Sequence, residues 1–597
     1  MKLSDYVIEF IVKQGVSHIF EMVGGAIAHL LDSAGKRADI SCVSVHHEQA
    51  GAFAAEGYAR TNRKLGVAMA TSGPGALNML TGIGSCYFDS VPCLFVTGQV
   101  NTYEYKFERP LRQVGFQETD IVSIARPITK YAVIVTDPSN IRYQLEKAVY
   151  LAQTGRPGPV LLDIPMDVQR SEIEPDQLES FYESEEYLAA NLQTSKCNWN
   201  EETFSEISSL LSASKRPLVL VGGGVRTAGA EAELLKFIDH TGIPVVTSLL
   251  GIDALPHQHP SFLGLIGSYG NRYSNLALAN CDFLLILGSR LDSRQTGTRP
   301  QRFSRASRKV HVDIDVHELN AKVHVDMALQ GDVRSFLQQF NNHLLQTMPQ
   351  ERDDSTWYSI LHEYCHRFPD TPPSDSSPTI HPNRFMKLLS RHCTSEQMIC
   401  LDVGQHQMWA SQSFRLKAGQ RLFNSGGMGA MGFALPAAIG AAMASGREII
   451  VIAGDGGFQV NIQELETIRH HNLPIKMFVM DNNNLGMVRQ FQDLYFQGRR
   501  QSSSKGYSCP DLSKVAEAYG IPSLSIHTWE EAERQIQAAM DHSGPLLIHI
   551  KLQEDTVVTP KLVVNRPIED MFPHLEEQEL KKLMVIEETS ETEKGDE

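Results

Sequence analysis

Asp455 and Asn482 are the side chains whose type and spacing point most directly to chemistry. Asp455 follows an apolar run, Ile449 to Ala453, within Gly454-Asp455-Gly456-Gly457. Asn482 follows a second run, Ile475 to Met480, within Asp481-Asn482-Asn483-Asn484, and 27 positions separate it from Asp455. Short apolar runs read as buried strands. Ile462, Leu465 and Ile468, at spacing three, predict a helix between them. The product is a βαβ unit with oxygen-bearing side chains at the tips of two parallel strands, where open α/β sheets bind ligands. One carboxylate, one carboxamide and a backbone carbonyl from the turn at Asn484 suit a hard divalent cation that shares its other positions with phosphate. Asp455, Asn482 and Asn484 are therefore the expected metal ligands. Gly456 and Gly457 let backbone amides approach phosphate oxygens.

A second acid stands out by its place. Glu48, in His46-His47-Glu48-Gln49, follows the strand-like Ser41 to Val45 and opens a small-residue helix, Gln49 to Thr61. Such an acid either caps its helix or serves as one specific hydrogen-bonding acid in an apolar pocket. Around it, Ser17 to Phe20, Val67 to Thr71, Cys93 to Thr97 and Val160 to Ile164 read as strands, and Ser72-Gly73-Pro74-Gly75 as a tight turn opening a helix. Pro217 to Val221 ends in Gly222-Gly223-Gly224, Phe283 to Leu287 in Gly288-Ser289-Arg290, and Val310 to Ile314 carries Asp313 and Asp315. Met398 to Val403 ends in Gly404-Gln405-His406. This alternation predicts an α/β fold of three doubly wound, Rossmann-like parallel-sheet domains, although no GxGxxG is present. The expected domains are 1–175, 195–345 and 375–560, followed by a charged tail, 561–597, with a helix and a frayed acidic end. Acidic and Pro/Ser-rich stretches, 171–195 and 346–380, read as exposed linkers.

Composition narrows the class. The chain has 597 residues, a net charge of −16 and 42% hydrophobic residues, enough for several cores and ill suited to nucleic acid. Nine scattered cysteines without a CxxC suit a reducing compartment. His362, Cys365 and His366 have a faintly zinc-like spacing but no second cluster, so they read as a polar helix face. The N-terminal segment, with Asp5 and Glu9 in its apolar pattern, reads as an amphipathic helix capped by Ser4 and not as a signal peptide. Met428 to Ala444 is the most apolar stretch, but Pro436 and its glycines keep it short of the ~20 residues of a membrane span. A cytoplasmic protein without membrane or nucleic-acid partners is expected.

The Gly-Asp-Gly with its distant double Asn resembles the thiamine diphosphate signature. His47 to Arg60 (HEQAGAFAAEGYAR), Thr71 to Val100, Gly404 to Trp409, Ser425 to Gly432, Leu435 to Gly440 and Gly486 to Gln490 resemble the acetolactate synthase family. The resemblance runs over residues 1 to about 565. It implies pyrimidine-binding, central FAD-type and diphosphate-binding domains in that order. It implies that Glu48 bonds N1′ of the aminopyrimidine, with Pro74 and Asn78 nearby and Gln117 as a further catalytic residue. Gly404, Gln405, His406 and Gly429, with Asp455, Gly456 and Gly457, are implied around the diphosphate, and Met431 as the wedge that bends the cofactor. For FAD, which is implied as a structural cofactor, the matching residues are Arg156, Gly222, Gly223, Gly224, Ser248, Leu249, Gly288, Ser289, Arg290, Asp313 and Asp332.

The resemblance further implies a Mg²⁺-dependent carboligase that decarboxylates a 2-keto acid such as pyruvate and transfers the two-carbon unit to a second carbonyl. It implies a homo-oligomer, dimer or tetramer, with the site between subunits; a regulatory subunit is left open. Departures fall at Val23-Gly24-Gly25, Phe53, Asn101 to Gly115, Ser268-Tyr269 and Phe491. Several lie where the family shapes its acceptor side. A keto group of a nucleotide-linked sugar is thus an alternative acceptor, and a plain decarboxylase or lyase another reading. A non-catalytic homologue would lack Glu48 or Asp455, and both are present.

Overall fold

Three parallel sheets of six strands each organise the protein, in a computed structural model that describes residues 1–194, 197–347, 354–372 and 377–586. The first sheet holds β1 (His18–Met22), β2 (Ser41–Ser44), β3 (Gly66–Ala70), β4 (Cys93–Gln99), β5 (Tyr131–Ile134) and β6 (Val160–Pro165). The second holds β7 (Pro217–Val221), β8 (Val245–Thr247), β9 (Phe262–Leu265), β10 (Phe283–Leu287), β11 (Arg308–Asp313) and β12 (Met327–Gln330). The third holds β13 (Met398–Leu401), β14 (Leu422–Asn424), β15 (Ile449–Gly454), β16 (Ile475–Asp481), β17 (Ser523–Ile526) and β18 (Leu546–Lys551). The spatial orders are β2-β1-β3-β4-β6-β5, β12-β11-β10-β7-β8-β9 and β14-β13-β15-β16-β18-β17. Counted within each sheet, the first and third share the order 2-1-3-4-6-5, while the second has the dinucleotide-fold order 3-2-1-4-5-6. Strands β3, β4, β7, β10, β15 and β16 are buried along their whole length, which is why they read as unbroken apolar runs and not as alternation.

By contacts the chain forms two compact units. One comprises Met1–Ser195, Ser376–Gln407 and Gly419–Val557, and so contains the first and third sheets. These are joined by the helices Glu48–Asn62 and Ala434–Ser445, which cross at glycines. A Cβ on Gly57 would stand 2.1 Å from the Ala437 carbonyl oxygen, and one on Gly440 1.9 Å from that of Ala54. The small residues of HEQAGAFAAEGYAR are thus the price of backbone-to-backbone packing. Phe53 is wholly buried at this joint, edge-on to Phe433 at 5.5 Å.

The other unit comprises Lys196–Asp375, Met408–Ala418 and Val558–Glu597, built on the second sheet. Within it the stretch read as a second linker contains a helix, Ser355–Arg367, that buries Trp357, Leu361 and Tyr364. The tail is likewise structured. Two short antiparallel strands, Lys561–Leu562 and Met571–Phe572, precede the expected helix, Glu577–Leu583. The Leu562 amide donates to Ser268 O at 2.8 Å, and Asn280 Nδ2 to Leu583 O at 3.1 Å. The frayed acidic end, 587–597, lies outside the described residues.

Three local expectations change. The helix expected around Ile462–Ile468 begins earlier, at Asp455, and breaks at Asn461, whose amide nitrogen donates to Gly432 O at 2.8 Å. Ser4 does not cap the first helix, Leu3–Lys13; it lies inside it, wholly buried, accepting from the Ser33 hydroxyl at 2.9 Å. The first linker is partly packed, for Phe181 is buried against Tyr150 and Tyr187. Among the described residues no helix is long and apolar enough to cross a membrane.

Candidate active site

At the carboxyl edge of the third sheet, the register Gly454↔Met480 sets Asp455 and Asp481 side by side at the tips of β15 and β16. Asp455 is the first residue of the helix Asp455–Val460 and is buried; burial first, then the neighbouring Asp481 charge, push its carboxyl up to about 7. Burial pushes on Asp481 too, but hydrogen bonds from His549 (2.7 Å) and Lys551 (2.8 Å) hold it down at about 2. Asn482 Nδ2 donates to Gln405 Oε1 at 2.9 Å, which fixes the amide and leaves its Oδ1 without a partner among the described residues. The Asn484 side chain is committed to the loop: Nδ2 donates to Asn482 O and Glu554 O, both at 2.7 Å, and Oδ1 accepts from Arg489 Nε at 3.2 Å. An oxygen from Asn484 for a cation therefore has to come from its backbone.

These donors fit a divalent cation beside phosphate. Asp455 is a buried carboxylate with another carboxylate, Asp481, beside it, and Asn482 Oδ1 has no partner among the described residues. One carboxylate is the usual protein share for Mg²⁺. His406, packed against Gly404 and Gly454, adds a buried Nε2 with no partner, the kind of atom a phosphate oxygen satisfies. Burial holds its ring down at about 3, so it is neutral.

Met431 projects, 37% exposed, from a loop with left-handed glycines at Gly429 (φ +67°) and Gly432 (φ +84°). Two carboxylates absent from the sequence reading hold this loop. Asp402 accepts from the Gly432 and Ala434 amides at 3.0 Å each, and Asp89 from Gly426 (2.9 Å) and Gly427 (2.7 Å) while pairing with Arg60 at 2.9 Å. Gly457 approaches Asp402 so closely that a Cβ would lie 2.3 Å from its Oδ1.

The first sheet presents a different edge. Glu48 is the first residue of its helix but does not cap it; that duty falls to His47, whose Nδ1 accepts from the Gln49 amide at 3.1 Å. Glu48 is 8% exposed, and its Oε2 accepts from Asn78 Nδ2 at 2.9 Å. Gly75, after Pro74, leaves room for the acid: a Cβ there would be 3.1 Å from Glu48 Oε1. Gln117 adopts a left-handed φ of +64°, and its carbonyl would lie 2.9 Å from a Cβ on Gly73. The structure thus gathers Glu48, Pro74, Asn78 and Gln117 about one turn. Glu118, not singled out before, accepts from the Lys106 (2.8 Å), Val114 (2.6 Å) and Gly115 (3.2 Å) amides and so folds the divergent 101–115 stretch onto that edge.

In the second sheet the strand order reverses between β7 and β10, and the expected FAD residues collect at these carboxyl ends. Gly222, Gly224 and Gly288 bring the two loops into backbone contact, with a Cβ on Gly222 2.1 Å from Gly288 O and Gly224 N donating to that oxygen at 2.9 Å. Gly223 and Leu249 stand at the neighbouring ends of β7 and β8; Ser248 N bonds Val221 O at 2.9 Å, and Ser289 O receives His311 Nε2 at 2.9 Å. Arg290 pairs with Asp292 at 3.7 Å; Asp313 accepts from Asp315 N, and Asp332 from Ser335 N. Glycine-rich loops at a point where the strand order reverses are where open α/β sheets bind dinucleotides. Arg156 belongs to the other unit, where its Nε donates to Ser90 Oγ at 2.9 Å.

Comparison with known proteins agrees with this layout. The family described as thiamine pyrophosphate enzyme matches in three parts: the N-terminal TPP binding domain over residues 1–124, the central domain over 204–340 and the C-terminal TPP binding domain over 402–550. An acetolactate synthase large subunit of Lactococcus lactis is 35% identical over 95% of this chain and 96% of its own length. A chloroplastic acetolactate synthase of Arabidopsis thaliana is 36% identical over 94% of this chain and 83% of its own length. Acetolactate synthase 3 of Brassica napus, also chloroplastic, is 35% identical over 96% of this chain and 86% of its own length.

Proposed function

From the premise that this chain belongs to the thiamine pyrophosphate enzymes and is acetolactate synthase-like, we propose that it decarboxylates pyruvate and joins the two-carbon unit to a second 2-keto acid. Two pyruvates would give acetolactate. The observation that carries this reading is a complementary pair of sheet edges: the buried acid Glu48, oriented by Asn78, on one, and Asp455 with Asn482 on another of the same strand order. Thiamine diphosphate, when bound, supplies the nucleophilic carbon and the electron sink for loss of CO₂. Glu48, oriented by Asn78, exchanges a proton with the aminopyrimidine nitrogen N1′. Asp455 and Asn482 hold Mg²⁺, with Asn484 contributing through its backbone, and His406 Nε2 serves a phosphate oxygen. Gly404, Gln405 and Gly456 would shape the cradle of the diphosphate, Met431 would pack against the cofactor rings, and Gln117 would stand on the side of the reacting carbonyl. The loops at the carboxyl ends of β7 and β10, with Gly222, Gly224 and Gly288, would hold FAD.

The active form is a homo-oligomer, at least a dimer, in which the Glu48 edge of one chain covers the Asp455 edge of another. Apolar side chains left in solvent, Val23 (70% exposed), Phe116 (85%), Met428 (41%) and Phe491 (43%), support such a cover. Mixing inactive Glu48→Gln and Asp455→Ala chains should restore activity through one intact site per mixed dimer; no recovery despite proven exchange would refute the shared site. The overall reading is tested by incubating the protein with thiamine diphosphate, Mg²⁺, FAD and pyruvate, and identifying products by mass spectrometry. Acetolactate with one CO₂ per two pyruvates is expected. Slow CO₂ release without acetolactate, accelerated by a nucleotide-linked keto sugar, would overturn it.

A further inference from the structure

We propose that Tyr507 is a positioning residue of the cation site: its hydroxyl fixes Asp455 so that the carboxylate presents Oδ1 to a divalent cation. The inference rests on the reading of Asp455 and Asn482 as cation ligands. Tyr507 lies beyond the helix Gly486–Tyr495, 52 residues from Asp455 in sequence. Its hydroxyl is 2.9 Å from Asp455 Oδ2 and 3.3 Å from Gln459 Nε2. Chemistry sets the direction of both bonds. The Gln459 amide nitrogen only donates, so the hydroxyl accepts there and its single proton goes to the carboxylate. Gln459 is itself fixed one helical turn after Asp455, since the same Nε2 donates to Asp455 O at 3.1 Å. The hydroxyl is thus held at two points, and Oδ1 of Asp455 is left without a side-chain hydrogen bond among the described residues.

The surrounding contacts tie the Tyr507 segment to both strand tips. A Cβ on Gly456 would meet the Tyr507 hydroxyl at 3.3 Å, Leu485 Cδ2 at 2.5 Å and Met431 Cε at 3.5 Å, so Tyr507 stands beside the backbone that must stay open to phosphate. On the other flank, Leu485 N, next to Asn484, donates to O of fully buried Ser503 at 2.8 Å. Arg500 braces the segment with two bonds to Asp493, at 2.7 and 3.1 Å. Carboxylates that bind metals are themselves oriented by an outer hydrogen bond, and removing it costs roughly 10–100-fold in metal affinity. No feature of the Asp455–Asn482 spacing points to Tyr507; only the folded chain does.

The test is Mn²⁺ binding by the full-length protein at saturating thiamine diphosphate, read by electron paramagnetic resonance, for wild type, Tyr507→Phe, Gln459→Met and Asp455→Ala. Tyr507→Phe keeps the ring and loses one oxygen. It should weaken Mn²⁺ binding about tenfold without changing the melting temperature of the metal-free protein. Gln459→Met, which leaves the tyrosine in place, should weaken it less and carries the test if Tyr507→Phe fails to fold. Wild-type affinity in the folded variants overturns the proposal, as does tighter binding, which would make the hydroxyl a competitor of the cation. Failure of wild type to bind Mn²⁺ better than Asp455→Ala would instead refute the underlying cation site.

Discussion

The first and third sheets share one strand order, 2-1-3-4-6-5, yet one buried strand carboxylate in each meets opposite conditions. On β6, Asp163 is wholly buried, and its carboxylate accepts from the neutral Thr97 hydroxyl (2.7 Å) and Gln99 amide (2.9 Å); burial pushes it up to about 7. On β16, Asp481 meets the same burial, but His549 and Lys551 hold it at about 2. Glu48 and Asp455 differ in their neighbours: Glu48 lies beside the Asn78 carboxamide, whereas Asp455 has the Asp481 charge and the Tyr507 hydroxyl beside it. The same scaffold therefore offers an edge suited to managing one proton and an edge suited to holding a cation and phosphates. The strand order sets where side chains converge, and the local charges decide what that convergence does.

Neutralising the two key acids should break this contrast most sharply. Asp455→Ala should abolish Mg²⁺-dependent binding of thiamine diphosphate, measured by calorimetry. Glu48→Gln should leave binding intact while slowing turnover by roughly 10²–10⁴-fold, the range for lost acid–base catalysis. If both variants lost binding alike, the division of labour would be wrong.

Next in size is the joint between the sheets. Gly440→Ala places a methyl 1.9 Å from Ala54 O, and Gly57→Ala one 2.1 Å from Ala437 O; both partners are backbone and cannot turn aside. Each should cost about 3 kcal/mol or more in urea unfolding. An Ala variant within 1 kcal/mol of wild type would mean that the helices separate freely, by about the effect of an ordinary surface change.

A pH titration sharpens the contrast between Asp163 and Asp481. The folded pKa of Asp163 is raised above its unfolded value, so the folded state holds the extra proton. Its contribution is fully present below about pH 4 and is lost as pH rises toward about 7. Asp163→Asn should flatten the fall in melting temperature across that window. Asp481 has a depressed folded pKa, so its contribution is present above pH 4 and is lost as pH falls toward about 2. Asp481→Asn should flatten only that acid limb.

The smallest effect is expected at Phe491, 43% exposed, which packs at 4.6 Å on Tyr495. Phe491→Trp should change kcat/KM for pyruvate by no more than about threefold, within the range of a conservative pocket change. A large loss confined to a bulky acceptor would revive the sugar reading.

Much of the frame was legible in the chain itself. Pro217–Val221 and Phe283–Leu287 were bounded correctly to the residue, because fully buried parallel strands are continuous apolar runs ended by glycine. Asp455, Asn482 and Glu48 were visible for a related reason: they stand within a residue or a few of a strand end, and the register of parallel strands carries such tips to one edge. Where a side chain stayed near its strand, the local pattern was enough to place it.

Folding alone decided which distant groups hold those tips in place. Asp89 meets Gly427 across 338 positions, Tyr507 meets Asp455 across 52, and Asn461 breaks a helix whose periodicity looked continuous in order to bond Gly432. The cap on the Glu48 helix passed to His47, and Ser4 turned inward to Ser33. Sequence spacing records which residues share a strand or a helix face. Which polar group is brought within 3 Å of another depends on how whole sheets pack, through contacts such as Gly57 on Ala437 whose partners lie hundreds of residues apart. The sequence by itself determined the chemistry on offer at each strand tip; only the tertiary structure decided which partners orient it.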